Sequence, residues 1–125
     1  MKFYPLVSGT EQPADLASEY KAAREIGRIR MGELRLFLRA GFRTYYIPYS
    51  DVRRCFRRVQ LIPAKMCCGR GDLEVENLVV CGDAGELIQV QLPGTKAAKI
   101  LMKELEERIP EAEFGKPAAD EAESV

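Results

Sequence analysis

A two-residue alternation of apolar and polar side chains is the feature that most constrains the fold of this chain. Leu34, Leu36 and Leu38 alternate with charged or aromatic neighbours, and a second alternating stretch runs from Glu86 to Leu92. Successive side chains of a strand point to opposite faces of its sheet, so this period is typical of half-buried strands. We therefore expect about six or seven short strands that are connected by hairpins and mainly antiparallel.

Glycine and proline residues divide the alternating stretches into separate strands. The expected strands cover residues 26–31, 33–39, 42–47, 52–62, 73–81 and 86–92. Ala40-Gly41 is the expected turn of a tight hairpin, and a bulge is expected near Asn77. The stretch 52–62 also fits a helix, because its apolar residues recur at helical spacing, and the sequence leaves that choice open.

Two helices are expected, one before the strands and one after them. Pro13 can open a short helix that ends before Gly27. Thr95 is the expected N-cap of a second helix, which Pro110 ends. One face of this second helix carries an apolar stripe made of Ala98, Leu101, Met102, Leu105 and Ile109.

A chain of 125 residues suits one folded domain. We expect an N-terminal extension over residues 1–23, the domain over residues 24–109, and an acidic, disordered tail over residues 110–125. Neither a membrane helix nor a signal peptide is expected, because no apolar run approaches the roughly 18–20 residues that span a bilayer and Pro5 interrupts the apolar N-terminus. We therefore place the chain in the cytoplasm.

The absence of histidine excludes several kinds of active site. Nucleophile pairs that use histidine, histidine general bases and histidine-ligated metals are all ruled out. The carboxylates show no spacing that suggests a catalytic acid and base. We expect a non-enzymatic module without a cofactor, whose partner is another protein or a second copy of the chain.

Arginine is concentrated in one part of the sequence, although the net charge is zero. The segment from Arg24 to Lys65 contains eleven basic and three acidic residues. The segment from Leu101 to Val125 contains three basic and eight acidic residues. Arginine suits bidentate contacts with phosphate, so an anionic surface or phosphate ligand is the alternative partner. The candidate anion-binding residues are Arg39, Arg43, Arg53, Arg54, Arg57 and Arg58. A solvated strand face that pairs with the acidic helix or tail explains the same arginines without a ligand.

The four cysteines give a second alternative, a zinc or redox site. Cys55, Cys67, Cys68 and Cys81 could together supply four thiolates. However, the adjacent pair lacks the Cys-x-x-Cys spacing of structural zinc sites. We expect reduced thiols and no metal, with Cys55 and Cys81 as small apolar strand residues.

Two further motifs have simpler explanations than function. Gly69-Arg70-Gly71-Asp72 precedes a strand and is expected to be a turn. Tyr45, Tyr46 and Tyr49 could stack on single-stranded nucleic acid, but packing in the core and between strands is the simpler explanation. Zero net charge does not favour nucleic acid as a partner.

The run from Leu36 to Val52 resembles stretches of bacterial pleckstrin-homology-like (PH-like) domains. There, a strand, a glycine turn and an aromatic strand lead into an Ile-Pro-Tyr-x-Asp-aliphatic element. The resemblance covers about residues 24–109 and implies a β-barrel of two packed, nearly orthogonal sheets, capped by a C-terminal amphipathic helix. In eukaryotic PH domains the first hairpin often binds phosphoinositide headgroups, and Arg39 and Arg43 flank a turn at a similar position.

Overall fold

The computed structural model of the chain describes residues 2–7, 16–62 and 73–115. Within these residues the fold is mainly β with two α-helices, as expected, and its strands form two sheets. The strands are β1 (Phe3–Pro5), β2 (Arg24–Ile26), β3 (Ile29–Met31), β4 (Arg35–Ala40), β5 (Arg43–Pro48), β6 (Arg54–Ile62), β7 (Leu73–Gly82), β8 (Gly85–Gln91) and β9 (Glu113–Phe114). The helices are α1 (Leu16–Ala22) and α2 (Thr95–Arg108), and a 3₁₀ turn covers Tyr49–Asp51.

The first sheet has the strand order β1-β5-β4-β3-β2. The prediction of one strand over residues 26–31 is wrong, because Ile26 pairs with Ile29 across a tight turn at Gly27-Arg28. The β4–β5 hairpin turns at Gly41-Phe42, one residue later than expected. Both glycines have positive φ, which the first position of such a turn favours and which other residues rarely adopt.

The second sheet has the strand order β8-β7-β6-β9. Residues 54–62 pair with β7 along their whole length, so this segment is a strand and not the alternative helix. The register shift in β7 lies between Val80 and Cys81, and not near Asn77 as expected. Among the described residues no strand pairing connects the two sheets, so the expected barrel is not closed.

Neither sheet is wholly antiparallel, because a strand near each chain end adds a parallel edge. β1 runs parallel to β5, with Phe3 opposite Thr44, and β9 runs parallel to β6, with Glu113 opposite Arg54. These strands lie within the expected N-terminal extension and the expected acidic tail. Both segments therefore contribute to the sheets, while residues 116–125 lie outside the described part of the chain.

The main core lies between the two sheets and α2. The predicted apolar stripe is confirmed, since Ala98, Leu101, Leu105 and Ile109 are buried against both sheets, with Met102 half-buried beside them. Thr95 is the first residue of α2 and not its N-cap, which is Gly94. None of the helices in the described ranges is long and apolar enough to cross a membrane.

A smaller core lies on the opposite face of the first sheet, under α1. Leu16 is buried there together with Phe3, Phe37 and Tyr46. Tyr20 packs edge-on against Phe3 and Phe37, with ring centroids 5.4 and 5.3 Å apart. These contacts hold α1 and β1 on the sheet, while the turns at Gly27-Arg28 and Gly41-Phe42 are exposed.

Candidate functional site

Two hairpin turns lie side by side at one end of the first sheet. The β2–β3 hairpin turns at Gly27-Arg28, and the β4–β5 hairpin turns at Gly41-Phe42. The backbone N–H of Arg39 donates to the carbonyl of Arg28 at 2.9 Å, which connects the two hairpins at this end. Arg28, in the turn before β3, and Arg39, on β4, are therefore neighbours.

The N-terminal strand adds a further cation at the same end. β1 is parallel to β5 and begins opposite Thr44, so Lys2 lies beside Arg43. Both cations approach the ring of Tyr4, with Arg43 Cζ 4.8 Å and Lys2 Nζ 5.5 Å from its centroid. We call this end of the sheet the basic tip, defined by Lys2, Arg28, Arg39, Phe42 and Arg43.

The cations of the basic tip lack carboxylate partners in the described part of the chain. Lys2, Arg28, Arg39 and Arg43 are all exposed, and none of them forms an ion pair with a described residue. Four positive charges therefore face solvent together. Such a group of cations can donate several charge-assisted hydrogen bonds to one phosphate-bearing partner.

An aromatic side chain stands among these cations. Phe42 is fully exposed at the turn, between Arg39 and Arg43 in sequence. A shallow groove of about 300 Å³ lies beside it, lined by Lys2, Tyr4, Tyr20, Arg39, Phe42 and Thr44. The basic tip thus combines cationic donors with aromatic surface, although the sequence singled out only its two arginines next to the turn.

The other four candidate arginines lie on or beside the second sheet and are paired with carboxylates. The Arg57 guanidinium donates twice to Glu76, at 3.0 and 2.5 Å, and Arg53 donates to Asp83 at 2.7 Å. The structure therefore separates the six candidates, with Arg39 and Arg43 at the basic tip and four in the other sheet. The pairs of those four are Arg53 with Asp83, Arg54 with Glu113, Arg57 with Glu76, and Arg58 with Glu86.

The pair between Arg57 and Glu76 anchors the start of α2. The carboxylate of Glu76 is buried, and its Oε1 also accepts a hydrogen bond from Thr95 Oγ1 at 3.1 Å. A buried carboxylate needs such donors to offset its lost hydration. Arg57 is thus engaged in holding β6, β7 and α2 together, which is a structural role.

A second polar cluster, which the sequence did not reveal, joins α1 to the β3–β4 connection and to the end of α2. Glu19 of α1 accepts the backbone N–H groups of Leu34 and Arg35, both at 2.9 Å, and pairs with the Arg35 guanidinium. Tyr49 Oη and Arg108 both donate to the carbonyl of Gly32, at 2.6 and 3.0 Å.

Matched donors and acceptors make this cluster a docking contact. Burial, opposed by the nearby Arg108, raises the pKa of Tyr49 to about 12, so its hydroxyl stays protonated as a donor. A cleft of about 540 Å³ lies beside the cluster, between α1 and Arg108. Among the described residues, Glu104 Oε2 is the buried side-chain oxygen that lacks a hydrogen-bond partner.

The described cysteines are buried strand residues. Burial raises the pKa of Cys55 to about 12, with a smaller contribution from the neighbouring Cys81, so Cys55 is held as a neutral thiol. No cluster of three metal-ligating side chains occurs within the described ranges. Cys67 and Cys68 lie outside those ranges, as does the expected turn at residues 69–72.

The three tyrosines considered for base stacking do not form one surface. Tyr46 is buried under α1, whereas Tyr49 donates to the Gly32 carbonyl at the opposite end of the sheet from the basic tip. Tyr45 packs against Tyr4, with ring centroids 5.9 Å apart. Packing and hydrogen bonding within the fold therefore engage all three rings.

Comparison of the chain with protein-family models, with curated proteins and with solved structures found no match.

Proposed function

We propose that this chain is a PH-like binding module that binds phosphate-bearing anions through the basic tip. The observation that carries the proposal is the collection of four exposed cations, without carboxylate partners in the described part of the chain, around one hairpin end. Their guanidinium and ammonium groups can turn to an external phosphate without breaking an ion pair to any described residue. The paired arginines of the second sheet would first have to break their ion pairs with carboxylates.

The order of the elements supports the PH-like part of the proposal. A four-stranded antiparallel meander (β2 to β5) precedes a three-stranded one (β6 to β8), and α2 follows them. The run from Leu36 to Val52, which carries the resemblance, spans β4, β5 and the 3₁₀ turn. A fold of this kind serves as a scaffold for many functions, so the basic tip, and not the fold, indicates the class of ligand.

Binding of inorganic polyphosphate, followed by isothermal titration calorimetry, tests the anion site. The double variant Arg39→Ala/Arg43→Ala should bind more than about tenfold more weakly, since a hydrogen bond to a charged group is worth about 1.5 kcal/mol or more. Raising the ionic strength should also lower the affinity of the unchanged protein for polyphosphate.

The matched control is Arg53→Ala/Arg54→Ala, which removes the same charge from paired positions. It should keep most of its affinity for polyphosphate. An unchanged affinity of the Arg39→Ala/Arg43→Ala variant, or an equal loss in both double variants, would contradict a site at the basic tip.

A second candidate function, self-association, is favoured by the edge of β6. β9 pairs only with Arg54 and Cys55, and no other described strand pairs with the same edge beyond them. A groove of about 280 Å³ continues along this edge, with Phe56, Met102 and Phe114 among its lining residues. A second copy could add its own β6 antiparallel here, which gives a symmetric contact between identical strands.

Light scattering after size-exclusion chromatography tests this contact over a range of concentrations. We expect a dimer that Val59→Lys converts to a monomer, because a charged side chain on an edge strand opposes pairing. Ile100→Lys is the control, because Ile100 on α2 is 40% exposed and Val59 is 43% exposed. A monomer at every concentration would end the self-association proposal.

A further inference from the structure

Phe42 differs from the other exposed apolar side chains in the described part of the chain. It is fully exposed, whereas Leu34, the next most exposed of them, is 60% exposed. Its neighbour in the turn is Gly41, around which no described heavy atom lies within 4 Å of a Cβ position. Packing and hydrogen bonding within the fold engage the three tyrosines considered for base stacking, whereas no described side chain covers this ring.

The arginines next to this ring lie on opposite faces of the hairpin. Arg39 shares the face of β4 on which Phe37 packs under α1. Arg43 lies on the other face, over the ring of Tyr4. A ligand that contacts Phe42 at the turn therefore has a cationic donor on each side. This arrangement suits a polymer that carries anionic groups before and after a flat group.

The groove beside Phe42 adds concave surface to the ring. Its volume is about 300 Å³, and Tyr4 and Tyr20 contribute aromatic surface to its lining, while Lys2 and Arg39 contribute cationic donors. A nucleobase matches this combination, because it is flat, its π-face stacks on an aromatic ring and its polar edges accept hydrogen bonds. Polyphosphate offers acceptors for the cations but no group that stacks on the ring.

The zero net charge of the chain does not describe the charge at this end of the molecule. Salt screens charges that lie more than about 10 Å apart at 0.1 M ionic strength, so a polyanion responds to the charges near its site. At the basic tip these include four exposed cations without an ion pair to any described residue. The acidic part of α2 leads instead to Arg108, which donates to the carbonyl of Gly32 at the opposite end of the first sheet.

We infer that the basic tip binds single-stranded nucleic acid, with one base stacked on Phe42 and the flanking phosphates on Arg39 and Arg43. This inference rests on the proposed anion site and names the class of polyanion that the site takes. DNA and RNA share the chemistry that it uses. Loss of one stacking ring corresponds to roughly five- to hundredfold in affinity.

Isothermal titration calorimetry with oligothymidine and with oligouridine tests the inference for DNA and for RNA, and the tighter of the two identifies the source. Phe42→Ser should bind this oligonucleotide about tenfold more weakly, while its affinity for polyphosphate stays unchanged. An oligonucleotide made of abasic residues should bind the unchanged protein and Phe42→Ser equally. Leu34→Ser is the matched control, because it removes an exposed apolar side chain at the other end of the sheet and should change none of these affinities.

The chain contains no tryptophan, so a tryptophan introduced at the turn reports stacking directly. The emission of Phe42→Trp should be quenched when a base of the oligonucleotide stacks on the ring. Neither polyphosphate nor the abasic oligonucleotide should quench it. Leu34→Trp should show no quenching with any of these ligands.

The outcomes separate the stacked base from the anion site. Equal affinity of Phe42→Ser and the unchanged protein for the base-bearing oligonucleotides would overturn the stacked base and leave the anion site standing. Loss of neither polyphosphate nor oligonucleotide binding in Arg39→Ala/Arg43→Ala would overturn the anion site itself. A blue shift of the Phe42→Trp emission with phosphatidylserine vesicles, without quenching by either oligonucleotide, would overturn nucleic acid as the ligand.

Discussion

The basic tip and the second sheet are both rich in arginine, but they differ in where the balancing charges lie. In the second sheet, Arg57 pairs with Glu76 on the neighbouring strand β7, and Arg58 reaches across β7 to Glu86 on β8. At the basic tip, Arg39 lies opposite Thr44 and Arg43 lies opposite Ala40, so their cross-strand partners among the described residues carry no carboxylate. The density of arginine in a sequence therefore does not locate a binding surface, because carboxylates on other strands of the same sheet can already pair with the arginines.

The largest expected difference between the two regions is in stability. Arg57→Ala should lower the free energy of unfolding by about 2–3 kcal/mol, because among the described residues it leaves Thr95 alone as a side-chain donor to the buried Glu76 carboxylate. Urea unfolding measures the change. Arg39→Ala, the equivalent change at the basic tip, should shift the same value by less than about 0.5 kcal/mol.

The double variant Arg57→Met/Glu76→Gln sharpens this result. It removes both charges, so it should recover part of the stability that Arg57→Ala loses. If Arg39→Ala destabilised the protein as much as Arg57→Ala, the distinction between the paired and unpaired arginines would be broken.

An effect of intermediate size on the free energy of unfolding is expected at alkaline pH, and it arises from groups in the interior of the molecule. Cys55 and Tyr49 have raised pKa values, so the folded state keeps protons that the unfolded chain releases. Stability should be constant below about pH 8, where the unfolded thiol and phenol are both protonated, and should fall as the pH rises toward 12, by about 1–2 kcal/mol at pH 10. Thermal unfolding across this range measures the slope.

Cys55→Ala identifies the source of that slope. The variant should lose most of the decline between pH 9 and pH 10, where the unfolded thiol titrates and the unfolded tyrosine has begun to do so. An unchanged slope in this variant would show that Cys55 is accessible to base in the folded protein.

The smallest expected effect concerns an exposed pair of the second sheet. Arg53 and Asp83 are 49% and 82% exposed at the side chain, so water screens their attraction. Arg53→Ala should therefore change the free energy of unfolding by less than about 0.5 kcal/mol, as measured in urea. A loss as large as that of Arg57→Ala would mean that burial of the carboxylate is not what separates strong from weak pairs here.

The strand and helix classes could be predicted where a periodic pattern was long enough to be recognised. The strands β4, β5 and β8 and the apolar stripe of α2 follow directly from residue spacing. In contrast, β1 and β9 have two or three residues each and carry no period of their own. The turn at Gly27 was missed because the alternation from Ile26 to Met31 continues across it.

The candidate site was only partly visible for a related reason. The turn between Arg39 and Arg43 could be expected from the sequence, but Lys2 joins them only through the parallel pairing of β1 with β5. Whether an arginine is paired depends on the register of strands far apart in the chain, as Arg58 and Glu86 show. Phe42 was assigned to a strand because it is aromatic, and only the turn position explains its exposure.

The pairing of β1 with β5 also sets an order for folding. Phe3 pairs with Thr44, which lies far along the chain on β5, so we expect this pairing to form after the β4–β5 hairpin. A contact of such long sequence separation must overcome a large loop-closure entropy, whereas each hairpin of the meander closes locally. We therefore expect the basic tip to be completed late, when β1 pairs with a sheet that the residues after it have already built.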